Sequence, residues 1–257
     1  MIISFLNFNP LGSLERIFAQ PLHLVKKTFN IHTVTPKNSY TIVLVGDSMT
    51  DYLGPTADIL KNYLKEYYPN KKIEVKNFSV GSTNILTLPD RLQNLTNFNG
   101  TISQPILNYE FDVIIIESFG HNPLSDPKWE DGFKKHNEVL DKAREMIKQR
   151  RPQAIVILMS TIAPHSDRYA EGVVNLTTDE RKQWARHRSA YIKNHIKYAR
   201  DHQIPLINIY EKSLADQESG NIDYINTHDF IHPSPTGILF ISQEIANFIY
   251  KNRILPL

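Results

Sequence analysis

Residues 41–46 read Thr-Ile-Val-Leu-Val-Gly, an unbroken apolar run rather than an alternating one, which is the pattern of a strand buried on both faces. Further strands are expected at 73–78, 112–117, 154–160 and 205–209. Between them, over 56–67, 132–149, 179–202 and 236–251, the apolar positions fall three and four apart, the period of a helix with one buried face. Within 132–149, Phe133, Val139, Leu140, Ala143 and Ile147 share that face with Lys and Arg outside, and Pro152 marks the end. Strands alternating with helices predict an α/β fold, a three-layer α/β/α sandwich around a parallel sheet of about five strands. Residues 163–178 show neither period and follow a strand end, so they are expected to form a loop over the site.

The first 39 residues stand apart from this alternation. Leu11, Leu14, Phe18, Leu22, Val25 and Phe29 are spaced as on one helical face, and Pro21 interrupts the helix. The polar face is not strongly basic, which favours a packing or linking segment over a membrane-surface helix. The expected organisation is an N-terminal extension, 1–39, of unassigned role, followed by one domain, 40–257. Met1–Leu6 is apolar but has no basic segment before it and no small-residue cleavage site after it, so no secretion signal is read there. No apolar window reaches the roughly 18 residues of a membrane-spanning helix. The compartment is left open.

Composition narrows the chemistry. With 257 residues, 41% of them hydrophobic, the chain can bury the core of one sizeable domain. Lys and Arg number 29 against 27 Asp and Glu, and no basic run extends beyond the neighbourhood of Arg150 and Arg151, so nothing asks for nucleic acid. The absence of cysteine excludes disulfides, thiol nucleophiles and thiolate metal sites. No phosphate-binding glycine loop and no dinucleotide fingerprint occurs, and no cofactor is expected.

Four separate pieces of sequence carry candidate chemistry. The first strand runs into Gly46-Asp47-Ser48-Met49, which delivers a serine to the carboxyl end of a buried strand, where open α/β sheets place their ligands. Taken alone, Gly-Asp-Ser is equally an ordinary turn. The second piece, Asn77-Phe78-Ser79-Val80-Gly81-Ser82, ends a strand in a glycine whose N–H a ligand can approach closely. The third, Glu117-Ser118-Phe119-Gly120-His121-Asn122-Pro123, ends a strand near an asparagine, whose amide is a good oxyanion donor. The fourth is Asp229-Phe230-Ile231-His232-Pro233, just before the last helix.

In this order the four pieces resemble the GDSL-type esterases, also called SGNH hydrolases, over residues 40–250. The resemblance implies a flavodoxin-like hydrolase fold, with Ser48 as nucleophile and Asp229 and His232 completing a triad. It also implies an oxyanion hole made by the N–H groups of Ser48 and Gly81 and the amide of Asn122. The substrate class it implies is a small-molecule or saccharide ester. Two departures stand out: Met49 replaces the leucine of the name motif, and Pro123 follows Asn122 where many relatives have aspartate, which touches the hydrogen bonding that orients Asn122.

The physical reading agrees. A serine hydroxyl needs a histidine within hydrogen-bond reach to take its proton, and an aspartate on the other ring nitrogen fixes the tautomer. A metal reading of His228, Asp229 and His232 is disfavoured, because Pro233 and Pro235 work against the helix that would align the histidines. Glu117, His121 and His165 lie near strand ends without an assigned role. Three readings follow: a serine esterase, with short acyl groups such as acetyl on a saccharide preferred because no long apolar lid is seen; an O-acyltransferase acting on saccharides; and a silent module that binds a glycan or protein.

Overall fold

The computed structural model describes residues 33–98, 100–126 and 128–257. The helical face expected from Leu11 to Phe29 lies outside these residues. Five parallel strands form the central sheet: β1 (Ser39–Val45), β2 (Lys72–Asn77), β5 (Val113–Glu117), β6 (Ile155–Ser160) and β7 (Leu206–Asn208). Their spatial order is β2-β1-β5-β6-β7, so the chain steps outward from β1 first to one side and then to the other. β1 is therefore the topological switch point, and the crevice at its carboxyl end is the expected ligand position in such a sheet.

Both faces of the sheet are covered, as the continuous apolar strands require. Ile42, Leu44, Ile115 and Met159 point to one side, against helices α2 (Asp58–Tyr67) and α7 (Pro235–Lys251). Val43, Val45, Ile114, Ile116 and Leu158 point to the other, against α3 (Leu88–Gln93), α4 (Trp129–Arg150) and α5 (Thr178–Asp201). The result is the three-layer α/β/α sandwich that the sequence predicts. Leu140, Ala143 and Ile147 of α4 are buried as expected, while Phe133 and Val139 flank them at the edge of the core.

The ends of the elements are set locally. α5 begins with a capping box: the Thr177 hydroxyl accepts from the Glu180 N–H, and the Glu180 carboxylate accepts from the Thr177 N–H. α7 begins with Ser234 as N-cap and Pro235 at the first helical position. Short pieces absent from the sequence pattern are α1 (Ser48–Asp51), α6 (Ile209–Lys212) and a two-stranded hairpin of β3 (Thr96–Phe98) and β4 (Thr101–Ser103). α6 takes over the last residue of the strand expected over 205–209.

Within the expected N-terminal extension, Val34 is buried against the α2 and α7 side of the core and its N–H bonds the carbonyl of Ile254 at 3.0 Å. Lys37 pairs with Asp112 at 2.6 Å. Residues 34–37 thus pack onto the domain. Among the described residues no helix is long and apolar enough to cross a membrane.

Candidate active site

Gly46 ends the first block's strand in a space that admits no side chain. A Cβ there would stand 2.7 Å from the Glu117 Cβ and 2.9 Å from the Thr50 hydroxyl. The chain then turns directly into α1, with Asp47 as N-cap accepting from the Met49 N–H at 2.8 Å. Ser48 is the first residue of that turn, so its own N–H has no acceptor within the helix.

The fourth block folds back on its aspartate. Asp229 Oδ1 accepts from the N–H groups of Ile231 at 2.8 Å and His232 at 3.0 Å, and Phe230 between them takes a left-handed φ of 52°. Asp229 Oδ2 faces His232 Nδ1 at 2.7 Å, and His232 Nε2 lies 3.0 Å from the Ser48 hydroxyl. Burial works against ionisation of Asp229, but the bonds from the His232 ring and the two N–H groups outweigh it and hold its carboxyl below the usual range. An ionised Asp229 puts the ring proton on Nδ1 and leaves Nε2 as an acceptor for the Ser48 hydroxyl. Among the described residues no cluster of three or more potential metal ligands occurs.

The second and third blocks arrive beside the serine. A Cβ on Gly81 would lie 3.6 Å from the Ser48 Cβ, and the Asp51 carboxylate faces the Gly81 N–H. After β5 the backbone makes a tight turn in which Phe119 has φ 52° and Gly120 packs where a Cβ would meet Ile192 Cγ1 at 2.2 Å. That turn presents Asn122, whose Nδ2 donates to Asp47 Oδ2 at 2.9 Å. One amide proton is used in this bond, and the other remains. Pro123 therefore does not leave Asn122 unoriented: the buried Asp47 of the first block holds it.

Four groups near this site were not assigned by sequence reasoning. Glu117 is fully buried; burial and then the neighbouring charge of Asp47 push its carboxyl well above the usual range. Burial also raises Asp47, against the bonds from Met49, Asn122 and Glu117. The Asp47 N–H and the Ser118 hydroxyl both donate to the Glu117 carboxyl, and burial favours its neutral form. Arg91, 3% exposed, donates to the carbonyls of Gly46 and Phe78 and to the Thr83 hydroxyl, tying the first block to the second. Burial lowers its pKa to about 10 despite the attraction of Asp47, Asp51 and Glu117. Tyr52 stacks on His232. His121 Nε2 lies 3.3 Å from the Ile162 carbonyl and its Nδ1 3.2 Å from the Tyr169 hydroxyl. Burial drives His121 down to about 3, so the ring is neutral, with its proton on Nε2. His165 only accepts a bond from the Asp167 N–H in its own loop. Arg91 was the legible one: in Leu88-Pro89-Asp90-Arg91-Leu92 it stands on the apolar side of a helical period.

The expected loop 163–178 is irregular, and it packs against the fourth block. The Ala170 N–H reaches the Phe230 carbonyl at 3.4 Å, and the Arg168 guanidinium lies 3.9 Å from the centre of the Phe230 ring. Beside Asn122 opens a cleft of about 520 Å³, whose walls include Ser82, Asn84, Trp129, Trp184 and Arg188.

Fold, strand-end serine and late Asp-x-x-His describe a hydrolase of the SGNH class, built on an α/β/α sandwich. The sequence over residues 44–238 matches the GDSL-like lipase/acylhydrolase family model, and the chain belongs to that family. No curated protein matches it. Among solved structures, it is similar to an acetylxylan esterase, Axe2, from Geobacillus stearothermophilus, at 17% identity over 82% of this chain and 94% of that one, with a TM-score of 0.55. It is also similar to a GDSL-like lipase from Bacteroides thetaiotaomicron VPI-5482, at 14% identity over 82% and 88%, TM-score 0.55. At such identities the likeness speaks for the fold.

Proposed function

We propose that the protein is a serine esterase whose catalytic residues are Ser48, His232 and Asp229, with residues 40–257 as the hydrolase domain and 1–39 as an appended segment. The observation that carries this reading is the continuous chain from Asp229 Oδ2 through His232 to the Ser48 hydroxyl, with contacts of 2.7 Å and 3.0 Å. In the proposed cycle Ser48 Oγ attacks the carbonyl carbon of an ester while its proton passes to His232 Nε2. The tetrahedral intermediate collapses, the C–O bond to the alcohol breaks, and the alcohol leaves with that proton. Water then attacks the acyl-enzyme, giving its proton to His232, and the acid departs as Ser48 is restored.

The alkoxide of the intermediate is to be stabilised by the N–H groups of Ser48 and Gly81 and by the free amide proton of Asn122. The Gly81 N–H exchanges the Asp51 carboxylate for the oxyanion when substrate arrives. A short acyl group, such as acetyl carried by a saccharide, is the preferred substrate. The polar walls of the cleft beside Asn122 support this preference, as does the likeness to an acetylxylan esterase. The test is a fluorophosphonate probe, which phosphorylates activated serines, followed by peptide mass spectrometry. The expected adduct is on Ser48, lost in His232→Ala; an adduct elsewhere, or none, contradicts the assignment.

A further inference from the structure

The cleft beside Asn122 has charge of one sign on its walls. Its volume of about 520 Å³ lies within the range of small-molecule sites. No Asp or Glu lines it, and the one charged side chain there is Arg188 of α5. The Nε of Arg188 donates to the Tyr169 hydroxyl at 3.3 Å and its Nη1 to the Trp184 carbonyl at 3.4 Å. Its guanidinium lies 4.5 Å from the centre of the Trp184 indole and 5.1 Å from the Tyr169 ring. All these partners are neutral. Arg151, Arg168 and Arg200, by contrast, are each paired with a glutamate. Among the described residues Nη2 of Arg188 has no protein partner, so the group keeps both its charge and an open edge for a planar acceptor.

The neighbouring groups suit a polar ligand with an anionic end. The Trp129 indole, 38% exposed, forms a flat apolar surface at the cleft, backed by the His187 ring at 5.0 Å. Nε2 of His187 is buried without a partner among the described residues. Asn84 and Asn122 add amides. The cleft shares Asn122 with the proposed reaction centre, and Ser82 on its wall is the neighbour of Gly81.

We propose that this cleft is the specificity subsite of the esterase and that it takes a carboxylate carried by the substrate, paired to Arg188. Calling the ligand a substrate rests on the serine-esterase reading; the pairing itself does not. The carboxylate enters on the acyl side, as in a dicarboxylic monoester, or on the alcohol side, as in an acetylated uronic acid, and the two arms of the test separate these.

In the acyl arm, kcat/KM is compared for the p-nitrophenyl monoester of succinate and for p-nitrophenyl butyrate. In the alcohol arm, acetylated galacturonic acid is compared with acetylated galactose. The expected result is a preference of about tenfold or more for the anionic member in one arm, the size of one charge-assisted hydrogen bond. Arg188→Gln brings that ratio close to one, Arg188→Lys keeps part of it, and rising salt weakens it in the wild type. Calorimetric binding of galacturonate against galactose, and of succinamate against butyramide, reads the same preference without turnover. Ratios near one in both arms, together with no Arg188-dependent binding of either anion, overturn the proposal while leaving p-nitrophenyl acetate turnover to support the esterase reading. Arg188-dependent binding by a protein that cleaves no ester keeps the subsite and removes the esterase.

Discussion

The phenol ring of Tyr52 lies flat on the imidazole of His232, with centroids 4.3 Å apart and planes within 5°. His232 is thereby held at Nδ1 by Asp229, at Nε2 by Ser48 and across one face by Tyr52. Tyr52 is the C-cap of the same short helix that Ser48 begins, so the first block both carries the serine and sets the ring that faces it. An aromatic face also favours the imidazolium that forms in the proposed cycle.

Tyr52→Leu is therefore expected to lower kcat about three- to tenfold with little change in KM, in line with the roughly 0.5–1.5 kcal/mol of such a contact. Tyr52→Phe, which keeps the face, stays near the wild-type rate. Steady-state kinetics on p-nitrophenyl acetate checks this, and equal rates for the Leu and Phe variants would leave Tyr52 as surface only.

Asn122→Ala removes the proposed oxyanion donor and one bond to Asp47. Loss of such a donor costs on the order of 100- to 1000-fold in kcat, with substrate binding largely kept. A variant that instead raises KM at unchanged kcat would make Asn122 a binding residue only.

Glu117→Gln replaces a carboxyl that burial pushes toward its neutral form with an amide of the same shape, and stability at neutral pH is expected to stay within about 1 kcal/mol of wild type. Glu117→Ala leaves a cavity beneath Gly46 and unpairs Asp47, for a loss of about 2–4 kcal/mol. Urea unfolding separates the two. Because the folded pKa of Glu117 is raised, its contribution is full below the usual 4.5 and is lost as pH rises through the raised value. The Gln variant should lack that part of the pH dependence. A Gln variant as unstable as the Ala variant would mean that Glu117 is charged in the native protein.

Burial sets a second pH dependence, of opposite sign. His136 is 1% exposed between α4 and α5, where its Nε2 meets His195 Nδ1 at 3.3 Å, and burial lowers it to about 3. The unfolded chain takes up its proton near 6.5 and the native protein does not. The unfolded state therefore binds more protons between these values, and stability falls as pH falls from 6.5 towards 3. One such group gives a slope of about 1.4 kcal/mol per pH unit. His136→Gln should reduce the slope between pH 6 and 5 by about that amount in urea titrations; an unchanged slope would show that His136 titrates normally when folded.

Much of this architecture is legible in the sequence for a physical reason. Strands buried on both faces must be apolar throughout, so Ile42 to Val45 and Val113 to Ile116 announce themselves. The strand ends that follow carry Ser48, Gly81 and Asn122 to one crevice, because β1 lies between β2 and β5 in the sheet. What pattern does not carry is contact across the chain. Glu117 reads as the end of a strand, and only the approach of Gly46 and Asp47 makes it a buried acid. Tyr52 reads as an exposed turn residue until His232 arrives from 180 positions later. The hairpin of β3 and β4 and the single turn of α6 are too short to show a period.

The most direct test of the account is the hydrolysis of p-nitrophenyl acetate by the wild type and by Ser48→Ala, with matched folding verified by circular dichroism. The account predicts clear turnover by the wild type and loss of that turnover to near background in the variant. Equal rates in the two proteins would contradict it and move the chemistry away from Ser48.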